Sequence, residues 1–501
     1  MLTAPARALG ALQAFVDTSL DDALAGAEDV AAAQSRAVAL FHSVAADVPA
    51  YRAFLRDHAI KATSVQTFDD FQRLPLVDKR TYLYKHPLAA LCRGGKLEAC
   101  DMVAVSSGST GQPTFWPRFV SDELPVARRF EQAFFDSFRA DSRSTLAVVC
   151  FALGTWVGGM YTAQSCRHLA TRGYPITVIT PGNNKTEILR VVRELGRSFE
   201  QVVLLGYPPF LKDVVDTGLA EGVDWSSLHV KLVTAGEVFS EAWRTLVSQR
   251  LGSDEPMLDL VSLYGTADAG VLGNETPLSI CIRRFLAERP DAARALFGES
   301  RLPTLVQYDP RSRFFEAIDG TLLFSGDNGI PLVRYHIADS GGLVDYADML
   351  AFLRQYDFDP VTTVRRASDR GIRPLPFVYV FGRADFTVSY FGANVYPENV
   401  TVGLEQSPVD QWVTGKFVMQ AREDDERNRY LSIVVELGPG IPATAEKVDT
   451  IADSVHHHLL RLNSEFAHYV PPERQRPRIE LAPLGHREYF PVGVKHRYTR
   501  R

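Results

Sequence analysis

A chain of 501 residues is too long for one compact core, so two or more domains are expected. Its 46% apolar and 23% charged residues are ordinary for a globular protein, and a formal charge of −6 argues against a nucleic-acid partner, which would require a basic stripe. Five scattered cysteines (Cys92, Cys100, Cys150, Cys166, Cys281) with no C-x-x-C pair exclude a disulfide framework and a zinc knuckle, and suit a reducing, cytoplasmic setting.

The first hundred residues read as mainly helical, with Ala-rich amphipathic stretches and a further helix beginning at Asp78-Lys79-Arg80. Met1 to Asp17 lacks a charged start followed by a sustained apolar run, so no signal peptide is expected. Met102 to Val105 alternates as a strand and leads into Ser106-Ser107-Gly108-Ser109-Thr110-Gly111-Gln112-Pro113-Thr114. Glycines let backbone approach a ligand closely, and the amides and hydroxyls of such a loop point donors at an anion. Alone, the segment is either a phosphate-binding loop or a strand-connecting turn; the Gly-Lys-Ser/Thr ending of the nucleotide loop is absent.

Ser144 to Cys166 carries no charge and is long enough to span a bilayer, but Gly154, Gly158 and Gly159 interrupt it. A buried strand (Leu146–Ala152) followed by a glycine-rich turn into a helix is expected instead, with no membrane partner. Further strands are expected at Ile176–Thr180, Val202–Gly206, Val230–Ala235 and Leu258–Tyr264, with helices at Lys185–Leu195, Pro208–Ala220 and Ser240–Leu251 between them. That alternation predicts an α/β fold with parallel sheet covered by helices. From Thr304 to Asp345 the strands become shorter and closer, as in a β-rich subdomain.

At Gly382-Arg383-Ala384-Asp385 the pattern resets to a small α+β unit: strands Phe417–Ala421 and Tyr430–Leu437, a helix from Ala443 to about His468, a strand near Arg478–Leu481 and a basic tail. The expected domains are 1–381, large and nucleotide- and acid-binding, and 382–501, small and mobile. The run His456-His457-His458 falls in that helix, where adjacent positions point different ways, and reads as solvated surface rather than a metal site. Oligomeric state is not legible; a homodimer is the default expectation.

Several segments follow the glycine-rich loop in a telling order. They are Thr234-Ala235-Gly236-Glu237-Val238, Leu263-Tyr264-Gly265-Thr266-Ala267-Asp268, Pro331-Leu332-Val333-Arg334-Tyr335-His336-Ile337-Ala338-Asp339 and Phe381-Gly382-Arg383-Ala384-Asp385, then Gly392-Ala393-Asn394-Val395-Tyr396-Pro397 and Gly493-Val494-Lys495. From about residue 50 onward the chain resembles the adenylate-forming superfamily of acyl-CoA synthetases, adenylation domains and luciferases. It looks most like the phenylacetate–CoA ligase branch, including its relatives that adenylylate a deazaflavin.

The chemistry is coherent. A carboxylate is a poor electrophile; its attack on the α-phosphorus of ATP, expelling pyrophosphate, gives a mixed anhydride whose leaving group is AMP. Such chemistry rests on positioning and charge neutralisation. The resemblance implies that Ser106, Ser107, Gly108, Ser109, Thr110, Gly111 and Thr114 hold the β- and γ-phosphates, with Gln112 where many relatives have lysine. It implies that Tyr264 stacks on adenine, with Ala235, Gly236, Glu237, Gly265 and Thr266 lining the nucleotide pocket, that Asp339 accepts the ribose hydroxyls, and that Arg383 contacts ribose or phosphate. Asp268 stands at the usual glutamate position for Mg²⁺, with Ala267 in place of a Ser or Thr. The resemblance further implies that Lys495 reaches the carboxylate and α-phosphate, that Asp385 is the hinge, and that Thr110, Asp268 and Lys495 form the catalytic set.

Trp156, Gly158 and Tyr161 lie where relatives carry acyl-pocket residues and suit a flat or aromatic acid; core packing explains them equally well. The expected reaction consumes ATP with Mg²⁺ and a small carboxylic acid, then passes the acyl group to a thiol, with CoA as the acceptor the resemblance implies. Transfer to an amine, adenylyl transfer to a cofactor hydroxyl, and a non-catalytic nucleotide-binding homologue are the alternatives.

Overall fold

The structure is a computed structural model describing residues 4–97, 100–106, 114–298, 302–383, 387–438, 440–490 and 499. It divides into two compact units: residues 1–106, 115–206 and 218–382, and residues 107–114, 207–217 and 383–501. Each is taken by itself.

In the first unit, β1 (Met102–Ser106) and β2 (Thr114–Arg118) form a separate two-stranded ribbon. The main sheet uses β3 (Thr145–Val149), β4 (Ile176–Ile179), β5 (Gln201–Gly206), β6 (Lys231–Ala235), β7 (Leu260–Thr266), β8 (Gly270–Asn274), β9 (Thr304–Gln307), β10 (Phe314–Ile318), β11 (Thr321–Gly326), β12 (Leu332–Val344) and β13 (Phe377–Arg383). Their spatial order is β4-β3-β5-β6-β7-β8-β9-β13-β12-β11-β10. The first five are mutually parallel, as the alternation of strands and helices predicts. Beyond β7 the β7–β8, β8–β9, β9–β13, β12–β11 and β11–β10 pairings are antiparallel, which accounts for the closer strand spacing after Thr304. All five residues of β3 and all six of β5 are buried, the continuous apolar signature of strands covered on both faces.

The uncharged stretch 144–166 resolves into β3 and a helix Val157–Thr171, and among the described residues no helix is long and apolar enough to cross a membrane. Gly159 sits in the turn of that helix because a Cβ there would lie 2.4 Å from the Ala152 carbonyl oxygen. The segment expected as strand Leu258–Tyr264 begins instead as a helical turn, Pro256–Asp259, since Pro256 presets the φ of a first helical position. Asp78-Lys79-Arg80 does not open an α-helix. The Asp78 carboxylate accepts the Thr81 amide at 2.7 Å and the Asp78 amide donates to the Thr81 hydroxyl at 3.1 Å, closing a turn. Pro87 then disfavours a helical conformation at His86, leaving only a 3₁₀ turn, Leu83–Lys85.

In the second unit, β16 (Val413–Glu423) pairs antiparallel with β17 (Arg429–Leu437), which pairs parallel with β18 (Arg478–Ala482); a small ribbon of β14 (Val388–Tyr390) and β15 (Ala393–Val395) precedes them. Gly392, at φ +83°, has the Tyr207 ring where a Cβ would stand. The helix expected over 443–468 is two helices, Ala445–Leu462 and Ser464–Tyr469. Asn463 breaks it: its side chain accepts the Phe466 amide at 2.9 Å and donates to the Asn394 carbonyl at 2.8 Å. Only His457 of the histidine triplet is exposed. His458 is buried, with Nδ1 2.8 Å from the Ser454 carbonyl, because that helix face packs inward.

Candidate active site

Parallel strands present their carboxyl ends on one edge, and ligands of open α/β sheets gather there. Ala235 closes β6 and is followed by Gly236, at φ +87°, and the buried Glu237; Tyr264, Gly265 and Thr266 close β7. The register pairs Ala235 with Leu263, which puts Gly236, just past the end of β6, beside Tyr264, which is still paired with Gly273 of β8. The 266–270 turn is tight. The Ala269 amide donates to the Thr266 carbonyl at 3.3 Å and to its hydroxyl at 3.2 Å, and a Cβ on Gly265 would fall 2.6 Å from the Gly270 carbonyl oxygen.

Tyr264, 8% exposed, donates its hydroxyl to Asp339 Oδ2 at 2.7 Å, and Phe315 stacks near its ring at 6.3 Å between centroids. Asp339 is aimed there by an irregular β12. Its register pairs Leu323 with His336 but Thr321 with Ser340, and Ala338 within the bulge adopts φ +65°. Bulges of this kind re-aim a side chain. A second irregularity lies between the Phe324–Tyr335 and Gly326–Leu332 pairs, with Arg334 at φ +49°.

Asp268, 6% exposed, has both carboxylate oxygens engaged. The Tyr335 hydroxyl donates to Oδ2 at 2.5 Å, and the Lys79 ammonium lies 3.3 Å from Oδ1. Lys79 is delivered by a single extended residue, Val77, which bridges to the edge of β12 through Val77 N to Arg334 O (3.2 Å) and His336 N to Val77 O (2.8 Å). The same ammonium stands 5.7 Å from the centroid of Trp116, whose indole N–H donates to Ser106 Oγ at 2.9 Å. Thus the hydroxyl that opens the glycine-rich loop is anchored, while Thr114 at its far end has a buried hydroxyl without a hydrogen-bond partner among the described residues.

Of the proposed acyl-pocket residues, Trp156 caps the helix Val157–Thr171 and bridges to Val105, and Gly158 lies against Phe151 with room for a Cβ at ordinary contact. Tyr161 is buried, with the Arg118 guanidinium 5.4 Å from its ring centroid and its phenol pushed up to about 12 by burial. The residues expected at Ser107, Gly108, Ser109, Thr110, Gly111, Asp385 and Lys495, and the side chain of Arg383, lie outside what the structure describes. Among the described residues no cluster of three or more His, Cys, Asp or Glu side chains could hold a metal ion.

The fold therefore brings Tyr264 to Asp339, and gives Asp268 two partners the sequence reading did not single out, Lys79 and Tyr335. Tyr335 falls within the segment from Pro331 to Asp339 but carries no local signal that marks it as a partner of Asp268. Lys79 lay in a polar tripeptide that read as a helix start, 189 positions before its partner Asp268.

No protein-family model matches the chain, and no curated protein matches it. Solved structures do. The 2-hydroxyisobutyryl-CoA ligase in complex with 2-HIB-AMP and CoA, in its thioesterification state, aligns with a TM-score of 0.64 at 14% identity over 95% of this chain and 90% of that one. An open conformation of the same ligase with 2-HIB-AMP and CoA gives 0.52 at 14% identity over 94% and 90%. Its postadenylation state with 2-HIB-AMP gives 0.51 at 14% identity over 94% and 87%. At this identity the similarity establishes a shared fold over nearly the whole chain.

Proposed function

We propose that this chain, which has the fold of the adenylate-forming enzymes, activates a carboxylic acid as its acyl adenylate and transfers the acyl group to a thiol, with CoA as the acceptor. The observation that carries the reading is the buried Tyr264–Asp339 pair at the carboxyl edge of the parallel strands, in a fold shared with a ligase captured with an acyl-AMP and CoA. An aromatic face beside a carboxylate suits a nucleoside: the ring stacks on adenine, and the carboxylate accepts ribose hydroxyls. The motif order supports the phenylacetate–CoA ligase-like branch, and the small glycines beside Trp156 and Tyr161 support an aromatic acid.

In the first half-reaction a carboxylate oxygen of the acid bonds to the α-phosphorus of ATP, and the bond from that phosphorus to the bridging oxygen breaks, releasing pyrophosphate. In the second, the thiol loses its proton, its sulfur bonds to the acyl carbon, and AMP departs. The residues orient and neutralise. Asp339, itself fixed by the Tyr264 hydroxyl, holds the ribose. Lys79 contributes a positive charge beside Asp268, in a chain whose glycine-rich loop carries Gln112 rather than a lysine. Lys495 is the proposed donor to the acid's carboxylate and the α-phosphate, Arg383 a nucleotide contact and Asp385 the hinge.

Magnesium fits the donor chemistry available: it takes one or two carboxylates and completes its shell with phosphate and water oxygens. Asp268 would hold it on exchanging Lys79 for the ion, and the ion would neutralise polyphosphate charge.

The test is ATP–pyrophosphate exchange over a panel of aryl and alkyl acids, followed by offering CoA, a carrier-protein thiol and simple amines to the best acid. Acid-dependent exchange and an acyl-CoA mass are expected. Nucleotide binding without exchange for any acid would leave a non-catalytic homologue, and an amide product would reassign the acceptor.

A further inference from the structure

The underside of the 266–270 turn is held by charges that the adenylation chemistry above does not use. Arg118, at the end of β2, is 1% exposed, and its guanidinium donates to the Ala267 carbonyl through Nη2 and to the Asp268 carbonyl through Nη1 at 3.5 Å. Arg313, 4% exposed, donates through Nη2 to the Ala269 carbonyl at 3.4 Å and through Nη1 to the Ser312 carbonyl at 2.8 Å. Three consecutive carbonyls of the turn that carries Asp268 are therefore capped by two buried guanidiniums from different elements.

Buried arginines are ordinarily paired with carboxylates. Among the described residues neither Arg118 nor Arg313 forms an ion pair, and the Nε of each is buried without a hydrogen-bond partner. Among the described residues, Asp122, whose Oδ2 is also buried without a partner, faces both guanidiniums electrostatically, and Asp327, which faces Arg313, pairs with Arg93. Desolvating two guanidiniums for backbone carbonyls alone is an expensive way to stabilise a fold, but their planar forks fix a peptide turn in position as no apolar side chain could. Packing closes the arrangement. A Cβ on Gly270 would meet the Tyr161 ring at 2.8 Å, and one on Gly329 would lie 1.9 Å from the Pro117 carbonyl oxygen, so β2 and the turn have no slack around Arg118.

Building on the proposed adenylation activity, we propose that Arg118, seconded by Arg313, is a positioning residue that fixes the Asp268 turn relative to β2, the strand that leaves the glycine-rich loop. Loss of the fork lets the turn shift while the rest of the sheet stays intact, so Asp268, Lys79 and Tyr335 lose their common register.

Two readouts on the full chain test this. The first needs no activity: hydrogen exchange followed on peptides covering 262–274. In Arg118→Lys, which keeps the charge but not the fork, the Ala269 amide is expected to exchange about tenfold faster, with peptides from β3 and β5 unchanged; unchanged protection of the turn overturns the proposal whether or not the wild type adenylates anything. The second is ATP–pyrophosphate exchange with the best acid. A fall of about 10- to 100-fold in kcat at near-constant KM for the acid is expected, with partial rescue of Arg118→Ala by millimolar guanidinium. A variant that melts earlier yet keeps wild-type kcat per folded molecule shows a merely structural role and overturns it. If Arg118 variants do not fold, Arg313→Lys decides: faster exchange at Ala269 is expected, and unchanged exchange refutes the clamp. Failure of the wild type to exchange pyrophosphate with any acid defeats the functional reading instead, and the hydrogen-exchange arm still stands.

Discussion

Replacing Asp122 by asparagine should stabilise the protein, and do so more at alkaline than at acidic pH. Asp122 lies in the first turn of the helix Val120–Asp136, and its carboxyl is pushed up to about 7, chiefly by burial and secondarily by Asp327, against the opposing pull of Arg118 and Arg313. The unfolded chain binds this proton with a pKa near 3.9. The native state thus holds the proton more tightly. Its stability is fully present below about pH 4, declines as pH rises toward 7, and is level above that, because stability falls with pH wherever the native state binds more protons.

With these two values the wild-type penalty is about 1.5 kcal/mol at pH 5 and about 4 kcal/mol at pH 8. Asparagine keeps the shape and carries no charge, so the variant's advantage should grow by about 2–3 kcal/mol across that interval. At about 2 cal/mol/K of unfolding entropy per residue, a unit of several hundred residues converts this to about 3 °C in Tm. Calorimetric scans of both proteins at pH 5 and pH 8, at one ionic strength, read it directly. A Tm difference that is constant across pH, or that turns in favour of the wild type at pH 8, refutes the reasoning: the two guanidiniums would then outweigh burial, and Asp122 would be an ordinary ionised carboxylate.

Three further outcomes are expected. Tyr264→Phe removes the hydroxyl that fixes Asp339; a hydrogen bond to a charged group contributes about 1.5–3 kcal/mol, so KM for ATP should rise by about 10- to 100-fold while the melting temperature moves little. Lys79→Met leaves the buried Asp268 carboxylate without its cation; pyrophosphate exchange should fall by about 100-fold, and titration with Mn²⁺ should show tighter metal binding than wild type, whereas unchanged exchange would detach Lys79 from the reaction. Lys495→Ala should slow adenylation by about 10²–10³, roughly 3–4 kcal/mol, without loss of fold, measured as exchange in the forward half-reaction; wild-type speed would remove this lysine from the catalytic set.

The sequence determined more of the architecture than of the site. Lys185–Leu195 and Pro208–Ala220 are helices with the bounds their periodicity implies, and the parallel strands fall within two residues of their apolar runs, except that β3 ends at Val149, three residues before the expected Ala152. This follows because strands buried on both faces and helices with one apolar stripe leave a local mark, set by which neighbours along the chain must avoid water. Caps are equally local: Asn184, Ser240 and Thr276 each accept the amide three residues on.

Elsewhere distant partners decided. Asn463 could have continued a helix, and breaks it because the Asn394 carbonyl is there to receive its amide. His458 is interior although its neighbour His457 is not, since only the packed face of a helix distinguishes them. Tyr264 and Asp339 were legible as candidates from motif order, but their hydrogen bond depends on a bulge in β12 that no local residue pattern announces. Lys79, Tyr335 and Arg118 converge on Asp268 from three segments far apart in the chain, each unremarkable by itself. Electrostatic partnership depends on distance through space and on exclusion of water, and both are properties of the folded molecule that composition and periodicity along a chain do not encode.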